Sequence, residues 1–247
     1  MSLLEVDEID AYYGQSHILR GLSLTVEEGE VCALLGRNGA GKTTTLRAIA
    51  GATPPGVRGG EVRFAGTATT GQPTENIAIG GIGLVPESRR VFPNLTVEEN
   101  LGLADISRNR SNLIGRDVAQ VSETAPVAEI YEAFPRLDER RRQMGGTLSG
   151  GEQQMLAIAR TLRLNPRLIM LDEPYEGLAP QIIEDVEAAI RRISDGGTTV
   201  LLVEQNAAAA ISIAERCYIV DQGRIVFEGG SEELREDDET RRRYLGV

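Results

Sequence analysis

No long apolar run occurs in this sequence. Leu168–Leu171 and Val200–Val203 are among its most hydrophobic stretches, and they are strand-sized, far short of the ~20 residues that a membrane-spanning helix needs. Cysteine is scarce: Cys32 and Cys217 lie in apolar, strand-like segments, a pattern that predicts buried free thiols in a reducing compartment and not a disulfide-built scaffold. A single histidine, His17, is present. Zinc-type cysteine clusters, coiled-coil heptads, repeats and low-complexity tracts are all missing. The opening MSLLEVDEID has neither the basic nor the apolar region of a signal peptide. The expected location is cytoplasmic, and any service to a membrane would be performed peripherally, on its inner face, through a partner.

Positive charge is also in short supply. Across 247 residues, 26 Lys and Arg oppose 37 Asp and Glu, a net −11, which argues against a bulk surface that grips nucleic acid. Few lysines and many carboxylates suit a salty cytoplasm, where repulsion is screened. The tail, acidic over Glu232–Glu239 and basic over Arg241–Arg243, reads as a solvated face. Composition is that of a folded α/β protein, 41% hydrophobic and 26% charged. The length fits one large domain and could just reach two; a single domain spanning 1–247 is expected.

Leu22, Leu24 and Val26 alternate with polar residues, and Glu28-Gly29 turns the chain into the buried strand EVCALLG. A glycine-rich loop, the helix TTTLRAIA, and the strands EVRFAG and GIGLVP follow. From Thr96 to about Leu164 the pattern predicts mostly helices: Thr96 and Glu99 form a capping box, and 105–124 is polar and poorly patterned. After Asn165-Pro166, strand and helix alternate again through RLIMLDE, PQIIEDVEAAIRRIS, TTVLLVE and AAAAISIAERC. CYIVDQGRIVFEGG closes as a hairpin turned at Gln222-Gly223. Such alternation predicts a parallel sheet, interrupted by a helical insertion and flanked by an antiparallel piece.

Gly36-Arg37-Asn38-Gly39-Ala40-Gly41-Lys42-Thr43 matches the phosphate-binding loop and sits between a predicted strand and helix, the context that motif requires. Its glycines let backbone N–H groups curl around phosphate oxygens at a helix N-terminus. Lys42 is placed to meet the β/γ-phosphates, and the Thr43 hydroxyl to ligate Mg²⁺. RLIMLDEP ends an apolar strand in two carboxylates. Asp172 is placed to hold Mg²⁺, and Glu173 to orient or deprotonate the attacking water; alone, such a pair would read equally well as a cap or surface ion pair. Leu148-Ser149-Gly150-Gly151-Glu152 contains S-x-x-E, a capped helix start. The two glycines at that start also leave N–H groups bare toward an external anion. A chain that already has a phosphate cradle has use for a second one only if another subunit presents the phosphate.

LSGGEQQ, together with the phosphate loop and LIMLDEP, resembles the signature of ABC ATPases, with Glu152 in the last place of the usual motif. The resemblance covers nearly the whole chain. It implies a RecA-like P-loop core of parallel sheet, an antiparallel β subdomain, and a helical subdomain at about 96–164 that bears Ser149, Gly150, Gly151 and Glu152. It also implies a head-to-tail dimer in which each ATP lies between one subunit's phosphate loop (Gly36, Asn38 through Thr44) and the other's signature. GRNGAGKTTTLRAI, VPESRRVFPNLTVEENL, FPRLDERR, EGLAP, LLVEQN and RRYLG further resemble the LivF-type ATPases of branched-chain amino acid importers. That implies a sister ATPase, two permeases and an extracytoplasmic binding protein as partners; urea and amide importers use closely similar subunits. By the same resemblance Tyr13 stacks on adenine, although an isolated tyrosine more often belongs to a core. Three positions depart from the wider ABC pattern. Glu87 replaces a glutamine that touches Mg²⁺, Ala179 replaces an aspartate, and Gln205 replaces a switch histidine. Gln205 reads either as a hydrogen-bonding partner of the γ-phosphate and attacking water, or as a cap for the next helix. The alternatives are a soluble ABC ATPase of iron–sulfur assembly or DNA repair, and a small-molecule P-loop kinase, for which LSGGEQQ would have no use.

Overall fold

The computed structural model describes residues 2–113 and 123–246, so 114–122 of the poorly patterned stretch 105–124 lie outside the described residues. A six-stranded sheet runs in the order β10-β9-β3-β8-β7-β6. The strands are β3 (Val31–Leu35), β6 (Ile82–Val85), β7 (Leu168–Asp172), β8 (Thr199–Glu204), β9 (Arg216–Asp221) and β10 (Arg224–Gly230). All neighbours pair in parallel except β10, which folds back on β9. The hairpin turns where expected. Gln222 and Gly223 both have positive φ, 47° and 79°, as a two-residue turn matching strand twist requires.

The central strands are buried on both faces, which is why they read as unbroken apolar runs. Along β3, Val31, Ala33 and Leu35 face one core, while Cys32 and Leu34 face the other. The first core is covered by α6 (Gly150–Leu162), α7 (Pro180–Asp195) and α8 (Ala207–Ile213). The second is covered by α1 (Lys42–Ile49) and by an antiparallel sheet of order β2-β1-β4-β5, built from β1 (Ser2–Tyr13), β2 (Ser16–Glu27), β4 (Gly56–Phe64) and β5 (Thr67–Ala68). Each fully buried Leu or Ile on these strands contributes about 1.5–3 kcal/mol by leaving water. Cys32 and Cys217 are free and buried, and burial pushes both thiols up, so they pack as small apolar groups.

Between β6 and β7 the chain is mainly helical. It contains α3 (Val97–Leu113), α4 (Val127–Ala133), α5 (Pro135–Glu139) and α6; α2 (Thr74–Ile79) precedes β6, and α9 (Ser231–Glu236), α10 (Asp238–Thr240) and a π-helical turn at Arg241–Leu245 follow β10. Thr96 and Glu99 do cap α3 reciprocally: Thr96 N–H donates to Glu99 Oε2 at 2.8 Å, and Glu99 N–H to Thr96 Oγ1 at 3.2 Å. Among the described residues no helix is long and apolar enough to cross a membrane.

Candidate active site at the carboxyl edge of the sheet

Four parallel strands end side by side, the place where open α/β sheets bind ligands. β3 runs into the glycine-rich loop, β7 ends at Asp172, β8 ends at Glu204, and β6 ends just before Glu87. Gly39 and Gly41 hold φ at 80° and 117°, where a side chain would add strain. No side chain caps α1 at Gly41, so the first N–H groups of that helix stay available to an anion.

Beside this helix start lies a cavity of about 380 Å³, lined by Tyr13, Ile18, Asn38, Gly39, Gly41, Lys42, Thr43, Thr44, Glu87, Glu173 and Glu176. Lys42 is the only lysine in the chain and is 4% exposed. Its ammonium donates to the Gly36 and Arg37 carbonyls at 2.9 and 3.3 Å and pairs with Glu173 Oε1 at 3.1 Å. Thr43 Oγ1 donates to Asp172 Oδ1 at 3.0 Å. Gly36 and Ala40, expected at the nucleotide, do not line the cavity. They pack beneath it: a Cβ on Gly36 would sit 2.5 Å from the Val220 carbonyl, and Ala40 is 6% exposed.

The oxygen donors fit Mg²⁺. Thr43 and buried Asp172 touch, and Asp172 is pushed up to about 6 by burial, opposed by its bond from Thr43 and reinforced by Glu173 and Glu87. A carboxylate held at such cost is one that a divalent cation would stabilise. Among the described residues no three acidic, histidine or cysteine side chains form a group that could hold a metal ion by themselves. Glu87 stands against Glu176, whose carboxyl is raised by a hydrogen bond and by repulsion from Glu87.

Glu173 is held at φ 48°, an unfavourable backbone for a non-glycine residue and common at functional sites. On its other side lies a second cavity, about 330 Å³, lined by Glu173, Tyr175, Glu176, Glu204, Gln205 and Asn206. Gln205 opens into this space and does not line the phosphate cavity. Nor does it cap α8: the cap is Asn206, whose Oδ1 accepts from Ala209 N–H at 3.3 Å. Ala179 precedes α7 without a capping bond, and Pro180 fills the first turn.

The signature segment is built differently. Ser149 caps α6 in a reciprocal box with Glu152: Ser149 N–H donates to Glu152 Oε2 at 2.8 Å, and Glu152 N–H to Ser149 Oγ at 3.3 Å. Arg140 Nε then donates to Glu152 Oε1 at 2.6 Å. Burial alone would raise the Glu152 carboxyl; the Ser149 bonds and Arg140 outweigh it and hold it below its usual range. A Cβ on Gly151 would collide with the Ile182 side chain, which would have to move. None of Ser149, Gly150, Gly151 or Glu152 lines the phosphate cavity.

Several neighbours escaped sequence reasoning. Arg140 was hidden in a run of exposed charge. Arg89, at φ 57°, joins Gln154 on α6 (3.2 Å) to the Glu176 carbonyl (3.1 Å). Glu176 and Glu204 looked like ordinary carboxylates; the one available signal was Glu204's place at the end of an apolar strand.

A family model described as ABC transporter matches residues 19–176. The chain belongs to the ABC transporter family. It is 42% identical over 99% of its length to the whole of a high-affinity branched-chain amino acid transport ATP-binding protein, BraG, of Pseudomonas aeruginosa. A lipopolysaccharide export ATP-binding protein, LptB, of Escherichia coli is 33% identical over 100% of the chain and 98% of its own. A probable branched-chain amino acid transport ATP-binding protein, LivF, of Archaeoglobus fulgidus is 34% identical over 99% of each. Among solved structures, an ATP-binding cassette of an ABC transporter in its ADP conformation superposes with a TM-score of 0.82 at 27% identity, covering 97% of this chain and 96% of that one. This ABC protein is thus an ATP-binding ATPase subunit, of a family whose members work with membrane permeases.

Proposed function

We propose that the chain is the ATP-hydrolysing subunit of an importer for branched-chain amino acids or related small amides. It would pair head to tail with a second ABC ATPase, beneath two permeases fed by an extracytoplasmic binding protein. The observation that carries the reading is the split between the two anion-binding helix starts. The uncapped start of α1 lines its own chain's cavity; the signature start of α6 is finished and capped but lies outside it, where only another subunit's ATP could reach it. The near full-length likeness to BraG, at higher identity than to LptB, supports amino acid import over lipid export.

In this reading Tyr13 stacks on adenine, and Lys42 leaves Glu173 to meet the β/γ-phosphates. Glu173 takes a proton from water as its oxygen joins the γ-phosphorus and ADP departs. Gln205 donates to a γ-oxygen and accepts from the water. Thr43, Asp172 and Glu87 would hold Mg²⁺, which supplies neutralisation of the phosphate charge. The permease contact is assigned to the Glu87–Asn94 segment. Pro86, Arg90 and Phe92 edge a mostly apolar groove of about 720 Å³, and Phe92 and Ile106 at its lining are 48% and 63% exposed. Such a groove fits a short apolar helix from a permease.

Affinity capture of the chain from its native membranes tests this assignment. The expected co-purifying chains are a sister ATPase and two permeases of the amino acid importer kind. Lipid-export permeases, or no membrane protein at all, would refute it.

A further inference from the structure

Glu204 ends β8 and is 2% exposed, yet its partners are backbone amides and not a cation. One carboxylate oxygen, Oε1, accepts from Tyr175 N–H at 2.9 Å. The other, Oε2, accepts from Gln205 N–H at 3.1 Å and from Asn206 N–H at 3.2 Å. Tyr175 lies two residues beyond Glu173, so the two oxygens grip two different loops. One carries Glu173 and the other carries Gln205, and all these residues border the same 330 Å³ cavity.

A carboxylate suits this place. It offers acceptor sites on both sides, whereas a carboxamide offers acceptors on one side and N–H donors on the other. Burying it is costly, and burial pushes Glu204 up to about 7 despite the amide bonds from Tyr175 and Asn206; Glu173 nearby adds to the rise. An apolar residue would satisfy strand β8 more cheaply. The backbone it ties is also one that needs holding, since Glu173 sits at φ 48° and is anchored otherwise by its N–H to the Val203 carbonyl at 2.9 Å.

We propose that Glu204 is a positioning residue that crosslinks the Glu173 loop to the Gln205 loop and so fixes the distance between the two groups that handle the attacking water. The inference rests on the roles given above to Glu173 and Gln205. Misplacing a reacting group by about 1 Å can cost on the order of a hundredfold in rate, so the effect belongs in kcat and not in ATP affinity, which is set by α1, Lys42 and Tyr13 across Glu173.

The test compares Glu204→Gln and Glu204→Asp with wild type on the full chain assembled with its partner subunits, with Glu173→Gln as a control. Glu204→Gln should lower kcat roughly ten- to a hundredfold while KM and the ATP dissociation constant stay within about threefold. Hydrogen exchange should quicken together in the segments 174–177 and 204–208, and elsewhere stay as in wild type. Glu204→Asp, which keeps both acceptor sides, should recover part of the rate. Normal kcat per folded molecule in Glu204→Gln, or faster exchange spread through the whole chain, would overturn the proposal and leave Glu204 a stabilising contact. Normal hydrolysis by Glu173→Gln would instead overturn the underlying assignment of the water-handling groups.

Discussion

The starts of α1 and α6 are both glycine-flanked helix N-termini, and both direct unpaired N–H groups and a positive dipole end outward. They differ in everything else. The α1 start has no side-chain cap, and its Lys42 is buried against Glu173. The α6 start is closed by the Ser149–Glu152 box, braced by Arg140, and leaves Ser149 and Gly150 exposed. An uncapped start beside a buried cation can take an anion within its own cleft. A capped and exposed start is stable without one and can wait for an anion brought by a partner. In the proposed reading, the difference separates a half-site that binds from a half-site that completes.

The harshest way to break the comparison is to remove the cation. Lys42→Ala should reduce ATP hydrolysis to background, because the transferring phosphoryl loses its one lysine and Glu173 loses its ion-pair partner. Undiminished turnover would contradict the assignment of the α1 half-site. Next comes Gln205→Ala, expected to lower kcat roughly ten- to a thousandfold with little change in ATP affinity. Because Asn206 and not Gln205 caps α8, its melting temperature should stay near that of wild type, and a large fall would speak against a role in turnover. Gln205→His should add a pH dependence between about 6 and 7.5, the range in which imidazole titrates.

A smaller effect lies in stability. Asp172 has its pKa raised from 3.8 to about 6, opposite to a carboxylate that gains a partner. Between those values the folded chain keeps a proton that the unfolded chain has lost, so stability falls as pH rises through the window, and the cost is complete above about 6. The shift is worth about 3 kcal/mol. Asp172→Asn should therefore melt several degrees higher than wild type at pH 8, with the gain shrinking toward pH 4. A gain that does not change with pH would show that burial of the charge is not its source. The mildest change is Ser149→Ala, which removes the α6 cap and should cost about 1 kcal/mol without altering ATP binding by the isolated chain. Weakened ATP binding there would place the signature in its own chain's site.

What the sequence disclosed follows from the range over which its signals act. The turn at Gln222-Gly223, the boxes at Thr96 and Ser149, and the two-sided burial of LIML and VLLV are properties of a few consecutive residues, and periodicity reports them directly. The cavity beside α1 is legible where one loop builds it, from Asn38 to Thr44, while Gly36 and Ala40 of the same loop do not line it. Contacts that close only through the fold were not legible. Lys42 meets Glu173 because β3 and β7 flank β8 in one sheet. Glu204 reaches Tyr175 across two strand ends, and Arg140 reaches Glu152 across a loop. Nothing in the local pattern distinguishes these charges from the many exposed ones.

The claim that the site is shared between two chains is tested most directly by sizing Glu173→Gln in solution. The variant should bind ATP with Mg²⁺, fail to hydrolyse it, and accumulate as a closed dimer detected by light scattering, either alone or mixed with a sister ATPase. Adding Ser149→Arg to both partners should abolish that dimer while ATP binding persists. A particle that stays monomeric with ATP in both mixtures at high protein concentration, or a dimer indifferent to Ser149→Arg, would contradict the shared site.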